Sequence, residues 1–523
     1  MYKNSYILVI ILWNVKIEEK NFMKILKGIV FVLLICIAAA LLSCGGSDGG
    51  GDSAAPDQNS PAMGSNPDAE NDAPAEEVAE ITAASVVESL QAADYGGYEF
   101  RIWTSNWFNT TLEGRQAPEE EQIGEPINDA LWLRDKLIEE KYNITLKYTI
   151  YDPDPNAFAS AAVKTVKAGD DAFDFAMGDM MNVSKGLAQT GAIYDFNVLP
   201  NIDLENEWWS KYARRDLTIN GKFYFPTGDI SARFPGSQAM LFFNKKIFSD
   251  MGIDLPYQTV LDGKWTFDVF KDIIKGQTRD LNGDGIFDGS DFYGFLGNAS
   301  GYNLFRSAGE GIIRIEDGNP AINVGTERSV SIQQALNSFM GDVTYMYYKQ
   351  GFQSYDEVPM FKEDRLMFLI QTGTNASLYR DMESDFGIMP LPKYDENQSE
   401  YYAFCQKWGS VAVCVPRTNQ NTERTGMVIE ALAAAGKYTS TVAAYDVTLK
   451  RKYARDDESE KMLDIIVEGS CYDMAMMFNW GSIFSNFYEA MDKGENFISK
   501  FESIEPKVIA AMEKTIDIFM GGE

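Results

Sequence analysis

The chain has 523 residues, with 46 basic and 77 acidic side chains, a formal net charge of −31 and no histidine. So negative a balance disfavours nucleic acid and anionic lipid surfaces as ligands, because both need basic patches. The lack of histidine excludes Ser-His-Asp and Cys-His catalysis and every His-based zinc site.

In chain order, the first 22 residues hold an apolar stretch, Tyr6 to Trp13, and a charged break, Lys16 to Lys20. A charged-then-apolar pattern starts at Met23, where Lys24 and Lys27 precede the run Ile29 to Leu42. The run is short for a membrane span and has the layout of a signal-peptide core. It closes on Leu41-Leu42-Ser43-Cys44-Gly45, which resembles a bacterial lipoprotein lipobox. The resemblance implies that Cys44 carries a diacylglycerol and becomes the mature N-terminus. Residues 1–43 are therefore expected to be a signal peptide, with Met23 as the alternative start. All that follows is expected to be extracytoplasmic and anchored to the cell membrane by its N-terminal lipid. Residues 44–92 are expected to be the lipidated cysteine and an acidic tether. Gly45 to Ala84 is built of Gly, Ser, Ala, Pro, Asn, Asp and Glu, too polar to order itself. At about 40 residues it would span about 35 Å.

Beyond the tether, Tyr98, Phe100 and Ile102 alternate with polar residues as in a strand. Glu125 to Lys141 has a helical apolar stripe, Ile144 to Ile150 alternates again, and Ala157 to Ala168 reads as a helix. Phe173 to Met177 is a short apolar strand followed by Gly178-Asp179. Strand and helix in alternation predict a parallel α/β sheet, whose ligands sit beyond the carboxyl ends of its strands. That rule puts Trp103 to Trp107 and Gly178 to Met180 on one rim. Further on, Thr266–Gly276, Thr422–Lys437, Ser440–Tyr453, Ser459–Gly469 and Phe501–Phe519 read as helices. Residues 386–390 and 409–415 read as strands. Cys405, Cys414 and Cys471 contain no CxxC pair and are odd in number, so they are expected to be buried thiols.

Five stretches in order resemble the sugar-binding class of extracellular solute-binding proteins, the class that includes maltose-binding protein: residues 173–204, 240–258, 263–295, 385–416 and 430–466. The resemblance implies an α/β, two-lobed periplasmic-binding-protein-like fold (type II), its lobes interleaved in sequence around a hinge and an interlobe cleft. It gives an N-terminal lobe of residues 93–238 plus 409–445 and a C-terminal lobe of 239–408 plus 446–523. Crossings are expected near Phe234 to Phe242, Lys407 to Val411 and Ala444 to Leu449. The implied function is capture of a carbohydrate, most simply an oligosaccharide, and its delivery to ABC-transporter permease subunits by a monomer that is not an enzyme.

A sugar presents hydroxyls, which need fixed donors and acceptors, and a C–H face, which packs on a flat aromatic. The candidate ligand-binding residues are therefore Trp103, Ser105 and Trp107 after the first strand and Asp179 after the third. Gln238 and Asn244 are candidates at and beyond the first crossing, Lys407 and Trp408 at the second, and Asn479 and Trp480 in the C-terminal lobe. Gln238 stands where maltose binders carry an acid, so the resemblance does not extend to maltodextrin specificity. Trp132, Trp208, Trp209 and Trp265 are expected in the core.

The run 280–291 fits D-x-N-x-D-G-x-x-D-x-x-D. Hard calcium wants six to eight oxygens, and Asp280, Asn282, Asp284, the Ile286 carbonyl, Asp288 and Asp291 would supply them. Asp291 stands where an EF-hand has Glu, and a bound Ca2+ here is expected to be structural. No organic cofactor is implied. Two other functions compete: a calcium-stabilised surface glycoside hydrolase using paired carboxylates, and a non-transport surface adhesin lipoprotein. No particular Asp or Glu is marked as catalytic, and the identity of the solute is not written in the sequence.

Overall fold

The computed structural model describes residues 81–521, apart from 106–114, 120–121, 152–154, 297–299, 341, 343–345, 348–356, 408 and 455. The predicted alternation is present at the start. Strand β1 (Tyr98–Ser105) is followed by α1 (Pro126–Tyr142), β2 (Ile144–Tyr151), α2 (Pro155–Ala168) and β3 (Phe175–Asp179). Local chemistry sets these boundaries. The Glu125 carboxylate accepts the Asn128 N–H at 2.8 Å and Pro126 fills the first helical position, where no N–H is needed. At the other end Asn143 takes a left-handed conformation (φ 49°), which stops α1 and turns the chain into β2.

The first sheet has the order β2-β1-β3-β12, where β12 is Val411–Cys414. Strands β1, β2 and β3 are parallel, and β12 runs antiparallel to β3 with Val411 opposite Asp179. The second sheet has the order β8-β5-β9-β4-β10. Its strands are β4 (Ala239–Asn244), β5 (Tyr293–Leu296), β8 (Met346–Tyr347), β9 (Leu366–Thr372) and β10 (Phe386–Met389). Here β5, β8 and β9 are parallel, and β4 is antiparallel to β9 and β10. A hairpin, β6 (Ile313–Glu316) with β7 (Asn319–Ile322), and a short pair, β11 (Ala403–Phe404) with β13 (Ser470–Cys471), lie outside both sheets. The fold is two-lobed and interleaved, because β12 joins the first sheet only after the second is complete.

The topology also aims the two sheets at each other. The parallel strands of the first sheet end at Ser105, Tyr151 and Asp179, and β12 begins on that edge at Val411. In the second sheet β9 ends at Thr372, opposite Ala239 where β4 begins. Both extended crossings therefore leave the carboxyl-end rim of one sheet and enter that of the other. They run side by side: Gln238 pairs with Cys405, and the Gln406 N–H donates to the Ser237 carbonyl at 3.3 Å. The third crossing is a π-helix, Ala443–Ala454, leading into α4 (Asp457–Glu468), which packs on β10. Its Thr448 hydroxyl donates to the Ala443 carbonyl at 2.7 Å, a partner five residues back. The expectation of an ordinary helix over Ser440–Tyr453 is corrected here. A cavity of about 20 Å3, room for one water, lies between this crossing, Pro235-Gly236 and Gly373-Thr374.

One helix ties the first lobe together. Helix α3 (Thr422–Lys437) is buried from Thr425 to Gly436. A Cβ at Gly426 would lie 2.0 Å from the Pro200 carbonyl oxygen, and one at Gly436 2.1 Å from that of Asp229, so both glycines are needed for the close approach. The C-terminal segment reaches back to the first lobe. Helix α5 (Met474–Phe478) packs near Met180–Asn182, and α6 (Ile498–Phe519) brings Phe519 to 4.2 Å from the Tyr224 ring centroid. Cys405, Cys414 and Cys471 are buried free thiols. Trp209 and Trp265 lie in the core, whereas Trp132 and Trp208 are half-buried.

Candidate functional site

The site is the meeting of the two rims. Asp179 ends β3 and is fully buried; one carboxylate oxygen accepts the Asn182 N–H at 3.0 Å, the other the Asn182 amide at 2.8 Å. Burial raises its carboxyl above the ordinary aspartate range, opposed by the Asn182 hydrogen bonds and by nearby Lys407. Lys407 belongs to the second crossing; its ammonium lies 4.8 Å over the Phe484 ring and its N–H donates to the Met476 sulfur at 3.4 Å. The Ser410 carbonyl accepts the Met180 N–H at 3.2 Å. The Gln238 amide donates to the Ser470 hydroxyl at 3.0 Å, and its buried carbonyl oxygen has no partner among the described residues. Arg233 donates to the Gly409 carbonyl at 3.3 Å. Asp179, Gln238 and Lys407 are thus brought together where three strands of chain cross, with Ser105 buried at the end of β1 on the same edge.

The other predicted residues divide. Trp107 and Trp408 lie outside the described residues. Trp103, expected to be a stacking platform, is a core residue with 7% exposure. It stacks on Phe173 at 4.3 Å and meets Tyr151 at 4.5 Å, because both sides of β1 are covered this near its end. Trp480 is corrected in the same way. It is 2% exposed, stacked on Phe478 at 4.7 Å and 7°, and its indole N–H donates to the Thr515 hydroxyl at 2.8 Å. Asn479 is a turn residue with φ 47°, its amide donating to the Ser485 hydroxyl at 2.8 Å and its carbonyl accepting the Ser485 N–H at 3.1 Å. Asn244 is far from the rim. Strand β4 starts at the rim and runs antiparallel, so its last residue lies about 17 Å away on the opposite edge. There Asn244 caps helix Lys245–Met251 and donates to Asp364 at 2.6 Å.

Sequence inspection missed Asn182, Arg233, Met476 and Phe484. The Asp179-x-x-Asn182 spacing carried the only local signal, that of a capped helix start. The others reach the rim through long-range packing.

In the proposed calcium loop the carboxylates serve backbone amides. Asp280 accepts the N–H groups of Gly283 at 2.6 Å and Gly285 at 2.8 Å, and Asp284 accepts that of Ile286 at 2.7 Å. The Asn282 carbonyl accepts the Asp284 N–H at 2.9 Å, and Asp288 accepts that of Ser290 at 2.8 Å. Asp291 is buried and accepts from Leu281 at 2.9 Å and Asp288 at 3.0 Å. The donors are hard oxygens of the right kind. Among the described residues, however, no three carboxylates are gathered about one point.

No family model matches the chain, and no curated protein does. Solved structures do match. A cyclo/maltodextrin-binding protein complexed with maltotetraose aligns at 14% identity and TM-score 0.51 over 81% of this chain and 96% of that one. The fold is that of the ABC substrate-binding proteins. The galacto-N-biose/lacto-N-biose I-binding protein of the ABC transporter from Bifidobacterium longum, in complex with lacto-N-biose, aligns at 13% identity and TM-score 0.50 over 81% and 98%. UspC of M. tuberculosis aligns at 13% and 0.51 over 79% and 100%. In this fold the junction of Asp179, Gln238 and Lys407 lies beyond the carboxyl ends of the parallel strands. Among the described residues no helix is long and apolar enough to cross a membrane.

Proposed function

We propose that the chain is an extracytoplasmic receptor that encloses a carbohydrate between its lobes and delivers it to an ABC-transporter permease without altering it. The observation that carries this is the junction itself: two α/β sheets facing rim to rim across three crossings, with a buried carboxylate, an amide and an ammonium at the mouth. Two structural neighbours were solved with bound oligosaccharides, which supports a sugar as the guest. The lobes in this proposal are residues 93–238 plus 409–445 and 239–408 plus 446–523. Cys44 carries the lipid and the receptor works as a monomer; the tether ends at residue 82 rather than at the expected 92, because Ala83–Ser89 is a helix whose Val87 is buried in the core. Asp179 and Lys407 meet ligand hydroxyls as acceptor and donor, and Gln238 offers its unpartnered carbonyl.

The test is a thermal-shift screen of the full chain against a library of neutral and acidic saccharides, with product analysis of every hit. The expected result is stoichiometric stabilisation by one class of sugar, worth about 2.7 kcal/mol at a hundredfold excess over Kd. Hydrolysis products would replace the receptor with an enzyme, and silence across the library would remove the sugar.

A further inference from the structure

Beside the rim lies a hollow of about 660 Å3, within the size range of small-molecule sites. It is the groove between α2 and the π-helical turn that follows Met180–Asn182. The two pack closely enough at their base that a Cβ at Gly186 would come within 2.7 Å of the Ala159 Cβ. Its walls carry Asn156, Ser160, Lys164, Lys167, Asn182 and Thr190. The hollow begins where the rim ends, because the Asn182 amide is held on the Asp179 carboxylate at 2.8 Å.

The charge of this lining is the unusual feature. The chain has 77 acidic residues, yet no carboxylate is among the described lining residues, while two exposed lysines are. Lys164 and Lys167 stand three residues apart on one helix face, a spacing at which like charges repel. Neither forms an ion pair among the described residues, and the nearby Asp171 is taken by Arg101 at 3.2 Å. Lys167 lies in the last turn of α2, where the helix dipole favours a cation. Lys164 lies outside that last turn, so the dipole does not account for it. Two ammonium groups without an ion pair among the described residues, over a ligand-sized hollow lined by amides and hydroxyls, suit a polyhydroxylated anion.

We propose that the hollow takes the anionic part of an oligosaccharide whose rings carry carboxylate or sulfate. Lys164 and Lys167 neutralise the charge, and Asn156, Ser160, Asn182 and Thr190 meet the hydroxyls. This inference rests on the sugar-receptor function proposed above and narrows its guest to an acidic saccharide that extends from the rim along α2.

The test measures calorimetric binding of the full chain to three probes: a uronic-acid trisaccharide, its carboxyl-reduced neutral counterpart and a sulfated disaccharide. Binding of either acidic probe about tenfold or more tighter than the neutral one is expected, given that a charge-assisted hydrogen bond exceeds a neutral one by about that factor. The advantage should shrink with added salt and collapse in Lys164→Gln/Lys167→Gln. A melting curve of that double variant without ligand, matching the parent, shows that the fold is intact; the single variants serve if it does not. A carboxylate source is indicated if only the uronate gains, a sulfate source if only the sulfated sugar does. Equal affinity for acidic and neutral probes, unchanged by the double substitution, overturns the inference and leaves the receptor standing. Absence of binding by any saccharide overturns both.

Discussion

Glu430 and Asp179 are both buried carboxylates on the first lobe, and burial raises the titration range of both. Their surroundings differ. Glu430 accepts the indole N–H of Trp208 at 3.0 Å and of Trp209 at 2.9 Å, the Asn206 amide at 2.7 Å and the Asp203 N–H at 3.4 Å. All of those donors come from the loop after the third strand, so one helix carboxylate pins that loop. Among the described residues Asp179 has a single hydrogen-bonding partner, Asn182, with a lysine from another crossing beside it. The first carboxylate is saturated and structural. The second keeps acceptor capacity, because an ionised carboxylate has about four lone-pair directions, and it sits where the lobes meet.

The comparison breaks first at Glu430. Replacement by Ala strands two indole donors and an amide, so Glu430→Ala should lose about 3–5 kcal/mol of stability in urea unfolding. A variant that unfolds like the parent would deny the clamp.

A third buried carboxylate sharpens the contrast through pH. Asp229 has the Thr441 hydroxyl at 2.8 Å, and burial pushes its carboxyl up to about 6. Its folded value lies above the unfolded one, so the folded chain holds the proton between about pH 4 and 6. Stability from this group is full below that window and falls as pH rises through it, by at most about 3 kcal/mol. The difference in unfolding free energy between the parent and Asp229→Asn should follow that slope. A difference flat from pH 4 to 7 would place Asp229 in water.

Asp179→Asn tests the other side of the comparison. Asn caps helices as well as Asp, so stability should change by less than about 1 kcal/mol, while affinity for the bound saccharide falls about tenfold with the loss of a charged acceptor. Equal affinity with lowered stability would reverse the assignment and make Asp179 a second clamp.

What was legible in the sequence follows the range of the interactions. Helix Thr422–Lys437 was readable to the residue, because apolar spacing and the Asn421 cap are local. The β1-α1-β2-α2-β3 alternation was readable for the same reason. The π-helix over Ala443–Ala454 was not, since its apolar pattern resembles that of an ordinary helix and its register is set by packing between the lobes. The tryptophans failed for a related reason. A large indole at a strand end or helix turn is equally suited to a core or a cleft. Phe173 decides for Trp103 from 70 residues away, and Thr515 helps to decide for Trp480 from 35 away. Asp179 was legible because topology puts strand ends at the rim, and Lys407 because the family resemblance implied the second crossing there.

The smallest expected effect concerns the acidic loop, the opposite extreme from Glu430. Asp284 is exposed, Asp280 and Asp288 are half-buried, all three are hydrogen-bonded to the loop's own backbone, and Ile286 and Phe287 stand out at 63% and 49% exposure. The Asp280 carboxylate already reaches Gly285, the sixth position of the motif, which tightens the turn that a calcium loop needs. Gathering the remaining oxygens would require Asp284 and Asp288 to exchange amide partners for the ion, so much of the binding energy would go into rearrangement. A net gain of about 1 kcal/mol, or about 2 °C in melting temperature, is therefore expected for calcium over chelator. Asp284→Ala should erase that gain while leaving the chelated melting point in place. Superimposable curves with and without calcium would mean that backbone hydrogen bonds alone hold the loop, and that the motif's spacing served a turn rather than a metal.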